Sequence, residues 1–246
     1  MTAEAGQPRA AGRVGTDSHE ALDLLGYLVP DLVESRGRRA RLVQIGAHDG
    51  VVNDPVLPLI EADLVDAVLV EPIPAFVDSL RRLHAERPHI RVVAAAIAAE
   101  TGSFVMYQAV RPDGQLVNPR VTSLDRAVVE HELAVTRHFE PDLDPDVTIR
   151  EVAVEAMTVE TLMTQAGWPA PEVLVVDAEG HDFEIVRRFL SAGFVPDILS
   201  FEANHLREAD YRILLALLAE NGFVWARSGR DVLAVRKGSG LRAVAG

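Results

Sequence analysis

The chain has 246 residues, of which 48% are hydrophobic and 25% charged, with a formal net charge of -13 and no cysteine. Length and composition suit a soluble globular chain with a sizeable core, and the acidic balance argues against nucleic acid as a partner. The lack of cysteine excludes disulfides, thiolate metal sites and a cysteine nucleophile. No run approaches the roughly 20 apolar residues of a membrane span and residues 1–18 lack a signal-like apolar core, so a cytoplasmic location with no membrane partner is expected.

Residues 1–18 read as a flexible tail, or as a lid that orders on binding, and 19–246 as a single domain. From Glu20 to Glu34, Leu22, Leu24, Leu25, Leu28, Val29, Leu32 and Val33 fit a helical face, interrupted by Pro30. Strands and helices then alternate, with a strand at Arg41–Ile45, a helix near Pro55–Ala62 and a strand at Ala67–Glu71. A helix at Pro74–Glu86 has proline in its first turn, and the near-continuous apolar run Ile90–Ala95 predicts a third strand covered on both faces. Residues 103–160 break the alternation and predict an insertion packed over the mouth of the sheet, with β segments at Ser103–Val110 and Val147–Val154 and a charged helix at Ser123–Phe139. A strand at Val173–Asp177, a helix at Asp182–Ala192, a strand at Asp197–Glu202 and a helix at Ala209–Asn221 follow. Phe223–Arg227 and Val232–Arg236 read as an antiparallel hairpin, giving an α/β chain with a mostly parallel sheet.

The first strand runs into Gln44-Ile45-Gly46-Ala47-His48-Asp49-Gly50, a glycine-bearing turn that lets a cofactor approach the backbone. Glu71 ends the second strand about 20 residues after Gly50, where a carboxylate can accept hydrogen bonds from a ribose diol. A dinucleotide fingerprint would carry a third glycine, but His48 stands in the middle and Asp49 would repel a pyrophosphate. The loop therefore favours a sulfonium cofactor over a nicotinamide dinucleotide, whose oxidoreductase chemistry is the weaker reading.

These blocks resemble the FkbM-type family of class I S-adenosylmethionine-dependent methyltransferases. The matching residues are Val43–Gly50 with Asn53-Asp54-Pro55, Val70-Glu71-Pro72-Ile73-Pro74, Ala95-Ala96-Ile97 with Gly102 and Tyr107, Val176–Asp182, Phe201-Glu202 and Asp231–Ala234. The resemblance implies a Rossmann-like, doubly wound, seven-stranded mostly parallel sheet with an antiparallel C-terminal strand. It implies S-adenosyl-L-methionine as cofactor and methyl transfer to a hydroxyl of a sugar or natural product. The cofactor residues it marks are Gln44, Gly46, His48, Asp49, Gly50, Glu71, Pro72, Ala96 and Asp177. Two departures stand out. Gln44 occupies a position where many class I enzymes carry an acid for the methionine amino group, which shifts that duty to backbone carbonyls or Asp49. Ala95, Ala96 and Ile97 offer adenine only backbone and apolar contact.

Methyl transfer to an alcohol needs an oriented acceptor and either a base or a metal. Asp177, Glu179 and His181 at the fourth strand's tip form a candidate carboxylate/histidine base, with His181 taking the proton. Asp177, Glu202 and Asn204 are candidate Mg²⁺ ligands, because a hard cation takes oxygen donors; His205 lies beside them. The residue types leave base and metal open, and a non-catalytic module that recruits a partner enzyme is a further alternative. Asp182 reads as a first-turn or capping acid, and Glu184 as a helix-surface partner of Arg187 and Arg188. His84, His89, His131 and His138 read as solvated. The acceptor is expected to be a small molecule such as a glycoside or a carrier-bound intermediate, with Tyr107, Arg111, Asn118, Arg120 and Arg126 shaping a polar pocket. A homodimer stays open.

Overall fold

The computed structural model describes residues 24–117, 122–204 and 206–241. The expected tail, the start of the first helix at residues 20–23, Asn118, Arg120 and His205 lie outside them. The chain runs through α1 (Leu25–Arg36), β1 (Ala40–Ile45), α2 (Leu57–Glu61), β2 (Val65–Val70), α3 (Pro74–Leu83) and β3 (Ile90–Val93). It continues through β4 (Ala96–Ile97), β5 (Gly102–Val110), β6 (Thr122–Ser123), α4 (Arg126–Phe139), β7 (Thr148–Met157) and α5 (Val159–Ala166). It ends with β8 (Val173–Val176), α6 (Asp182–Ser191), β9 (Ile198–Glu202), α7 (Glu208–Glu220), β10 (Phe223–Ser228) and β11 (Asp231–Arg236).

Seven strands form one sheet in the order β10-β11-β9-β8-β1-β2-β3. β11 is antiparallel to both its neighbours and the remaining pairings are parallel, as expected for this architecture. Every residue of β8 and β9 is buried, which the continuous apolar runs require of strands with helices on both faces. Strand alternation splits the core in two. Val43, Ile45, Val70, Val176 and Phe201 face α5, α6 and α7, whereas Leu42, Leu69, Val173, Val175 and Ile198 face α1, α2 and α3. Crossovers from β1 proceed to β2 and β3 on one side, and the later strands β8 and β9 lie on the other. The order thus reverses between β1 and β8, where a doubly wound sheet leaves its ligand crevice.

The insertion is a second sheet, in the order β4-β7-β5-β6. β5 and β7 pair antiparallel from Gly102↔Ala156 to Val110↔Thr148, and α4 covers them through Val129 and Leu133. Three expectations change here. The run Ile90–Ala95 is cut short, because β3 ends at Val93 as an edge strand with Arg91 exposed, and the following Ala96–Ile97 form β4, which pairs with β7. Helix α5 had no counterpart in the sequence reading. Thr158 accepts from Thr161 N at 3.2 Å and Gly167 closes the far end in the left-handed conformation. His84 is 4% exposed rather than solvated, since it closes α3 beside Arg87. No described helix is long and apolar enough to cross a membrane.

Phe189 of α6 is fully buried between the central strands and its neighbouring helices. Phe189→Ala is expected to cost about 3–5 kcal/mol, read as a lowered urea midpoint. A loss below about 1 kcal/mol would contradict this core assignment.

Candidate functional site

At the carboxyl ends of β1, β2, β8 and β9 lies a cavity of about 210 Å³, reached by Gln44, Glu71, Asp177 and Glu202 from the strand ends. Gly46 opens its floor. A Cβ there would lie 1.8 Å from the Asp177 carbonyl oxygen, and its φ of +81° is one that side chains rarely adopt. Gly50 lies outside the lining but beneath it, where a Cβ would come within 2.6 Å of Leu80. Among the described residues, the positive-φ positions other than glycine are His48, Asn53, Asp63 and Glu179, and all but Asp63 line the cavity. Strain of order 1–3 kcal/mol per residue is thus concentrated at this site.

Glu71 links two loops. One carboxylate oxygen accepts from His48 N and the other from Ile73 N, both at 2.9 Å. Burial pushes its carboxyl up to about 7, against the pull of those two donors. The His48 ring packs on Phe76 with centroids 3.8 Å apart. Gln44 is buried, its amide Nε2 donates to Asp54 Oδ1 at 3.3 Å, and its Oε1 has no hydrogen-bond partner. A buried acceptor left so costs about 1–3 kcal/mol, which a ligand donor in the cavity would recover. Asp54 also accepts from Val56 N and Leu57 N at the start of α2, and burial raises its carboxyl.

Across the cavity, β8 stops at Val176, so strand alternation does not set the direction of Glu179 relative to Asp177. The turn at Glu179, with φ +46°, does so instead. It brings one carboxylate oxygen each from Asp177, Glu179 and Glu202 within 4.8 Å of one another. Asp177 is exposed and lines the cavity. Enclosure by protein, then the charges of Glu179, Asp182, Glu202 and Asp231, holds its carboxyl well above the usual range. Asp182 opens α6, but its carboxylate turns back to accept from Ala178 N and Gly180 N at 3.2 Å, bracing the turn. His181 precedes it on the cavity wall, and burial lowers its pKa, keeping the imidazole neutral at neutral pH. The inserted sheet closes the mouth with Met106, Thr122 and Leu124, and Ser123 Oγ donates to Glu179 O at 2.9 Å.

The cavity therefore gathers Gln44, Gly46, His48, Glu71, Pro72, Ala96, Asp177, Glu179, His181 and Glu202 from the sequence expectations. Three assignments change. Asp49 turns away, its Oδ1 accepting from Val51 N and Val52 N, so it is not the group facing a methionine amine. Asn204 is exposed and outside the lining, because the chain turns out after Ala203 N bonds Arg230 O; Glu179 takes its place among the possible cation ligands. Tyr107, Arg111 and Arg126 do not reach the cavity. Strand alternation points Met106 inward and Tyr107 toward α4, where Arg126 stacks on it at 5.8 Å and pairs with Glu130. Of the charged lining residues, Asp54, Arg230 and Asp231 were missed. Asp54 was visible only as part of Asn53-Asp54-Pro55, where an acid before a helix is an ordinary cap. Arg230 sits in the β10–β11 turn and ion-pairs with Glu202.

Because burial raises Asp182 to about 7 from an unfolded value of about 3.9, the folded chain binds this proton more tightly. That contribution to stability is complete below about pH 4 and is lost as the pH rises through about 7. Asp182→Asn is expected to cost more stability at pH 5 than at pH 8, compared by urea midpoints. An equal cost at both would contradict a buried, proton-holding Asp182.

The methyltransferase FkbM domain matches residues 44–225 of the chain. Similar solved structures include the methyltransferase FkbM of Methylobacillus flagellatus KT, at 12% identity and a TM-score of 0.47, covering 80% of this chain and 43% of that one. Monomeric WbdD gives 11% identity and a TM-score of 0.47, covering 92% and 43%. The precorrin-6y C5,15-methyltransferase of Geobacter metallireducens GS-15 gives 10% and 0.40, covering 92% and 89%. The chain spans less than half the length of the first two. None of the curated proteins matches it. The family match covers the glycine turn, Glu71, both acidic strand ends and most of the sheet, and by it the chain belongs to the methyltransferase FkbM domain family.

Proposed function

We propose that the protein is an S-adenosylmethionine-dependent O-methyltransferase acting on a hydroxyl of a small sugar-like or natural-product acceptor. One observation carries the reading. Among the described residues, the cavity is lined by the carboxylates Asp54, Glu71, Asp177, Glu179, Glu202 and Asp231 against the guanidinium of Arg230. Such a surface repels a pyrophosphate and favours a cation, and it disfavours anionic acceptors.

The residues present fit the cofactor. Glu71 keeps lone pairs beyond the two that hold the loops, enough for a ribose diol. The orphaned Gln44 Oε1 and the adjacent Asp54 suit a methionine ammonium, a duty that Asp49 cannot take. Gly46 leaves room for close approach, and Ile73, Phe76, Ala96 and Met106 form an apolar wall suited to adenine. Bound there, S-adenosylmethionine would supply an electrophilic methyl group. His181, neutral because it is buried, accepts the proton of the acceptor hydroxyl. Asp177 and Glu179 orient that hydroxyl from the adjoining turn. The inserted sheet covers the mouth and limits water, which would otherwise compete for the methyl group.

Isothermal titration with S-adenosylmethionine is expected to show binding, weakened at least about tenfold by Glu71→Ala, a loss of about 1.4 kcal/mol or more. Absence of binding by the wild-type protein would overturn the proposal. With an acceptor found by mass spectrometry of a metabolite panel, His181→Ala is expected to lower kcat by about 10²–10⁴ while leaving cofactor affinity unchanged. An unaltered kcat would remove His181 as the base.

A further inference from the structure

The acidic strand ends hold a cation of the chain's own. β8 and β9 are parallel neighbours in register at Val176↔Phe201, so Asp177 and Glu202 emerge side by side. Glu179 adds a third carboxylate, with one oxygen of each within 4.8 Å of the others. Three ionised carboxylates at that spacing would repel strongly; burial and the neighbouring charges hold the Asp177 carboxyl well above the usual range, and a compensating cation relieves the charge that remains. The antiparallel strand β11 delivers one. Asp231 is in register with Glu202, and Ala203 N donates to Arg230 O at 2.7 Å, which fixes the Arg230 backbone beside the end of β9. From there its guanidinium ion-pairs with Glu202 and acts on Glu179 and Asp177 as well.

We propose that Arg230 is the resident cation of these strand ends, occupying the place a divalent metal would take. Three features of the pairing carry this. Glu202 is 6% exposed while Arg230 is half exposed, so the carboxylate is turned inward and the guanidinium closes over it from the hairpin side. A guanidinium stays charged at any working pH and is more weakly hydrated than a compact ion, so it suits a partly enclosed acid. Mg²⁺ demands near-octahedral oxygen donors and sheds water reluctantly, and here it would have to share the Glu202 carboxylate with a guanidinium already paired to it. Asn204, the neutral oxygen donor that a metal site at these strand ends would call on, is exposed and outside the cavity. Arg230 therefore positions Glu202 and balances the cluster without itself entering the proton transfer.

Manganese(II) titration followed by electron paramagnetic resonance tests this without cofactor or acceptor, so its outcome is independent of the methyl-transfer reading. The wild-type protein is expected to take up Mn²⁺ no more tightly than the roughly millimolar affinity of weak cation sites. Arg230→Ala is expected to tighten uptake at least about tenfold, and Arg230→Lys to restore exclusion. Arg230→Met keeps the aliphatic stem and serves if the alanine variant loses its circular dichroism. Adding Glu202→Gln to either neutral variant is expected to abolish the gained uptake. Submillimolar Mn²⁺ binding by the wild type, or affinity unchanged in a folded neutral variant, would overturn the assignment.

Discussion

The buried carboxylate of Glu71 is the constraint on which the cavity depends. It accepts one backbone N–H from the loop after β1, at His48, and one from the loop after β2, at Ile73. Charge-assisted bonds of this type contribute roughly 1.5–3 kcal/mol each, set against the cost of burying the acid, which raises its carboxyl to about 7. The same two bonds account for the left-handed backbone at His48 and for the packing of its ring on Phe76, at the entrance to α3. A single side chain thus holds the glycine turn open and keeps an acceptor facing the cavity. The structural and binding roles of Glu71 are compatible because a carboxylate has more lone pairs than the loops consume.

The opposite wall solves a different problem, that of crowding negative charge. Asp182 braces the β8–α6 turn from beneath, and Arg230 approaches Glu202 from the hairpin. The inserted sheet ties itself to that wall through Ser123 and the Glu179 carbonyl. The strained turn is therefore held by the helix that follows it and by the inserted sheet, which is remote in sequence. His181, kept neutral by burial, sits where that bracing places it.

Most of the sheet was legible because fully buried strands such as Val173–Val176 and Ile198–Glu202 are rich in apolar residues. Gly46 and Glu71 were legible for a related reason: a backbone contact that admits no Cβ and an acid at a strand tip each leave few alternatives. What escaped depended on partners remote in sequence. The departure of Ala96–Ile97 from β3 is decided by β7, some sixty residues on. Arg230 looked like one more arginine in a hairpin turn, since only the register of β11 with β9 brings it to Glu202. Tyr107 and Arg126 looked like pocket residues, but strand alternation turns Tyr107 toward α4, where Arg126 stacks on it. Asp54 resembled a helix cap, and it is one, but one that also meets the buried amide of Gln44.

The central claim is that the acidic cavity between β1 and β8 is a site for S-adenosylmethionine held by Glu71. A crystal structure of the protein with S-adenosylhomocysteine tests it most directly. The account places the ribose hydroxyls on Glu71, the amino end beside Gln44 and Asp54, and adenine against Ile73 and Phe76. A ligand bound elsewhere, or one leaving Glu71 engaged solely with His48 and Ile73, would contradict it.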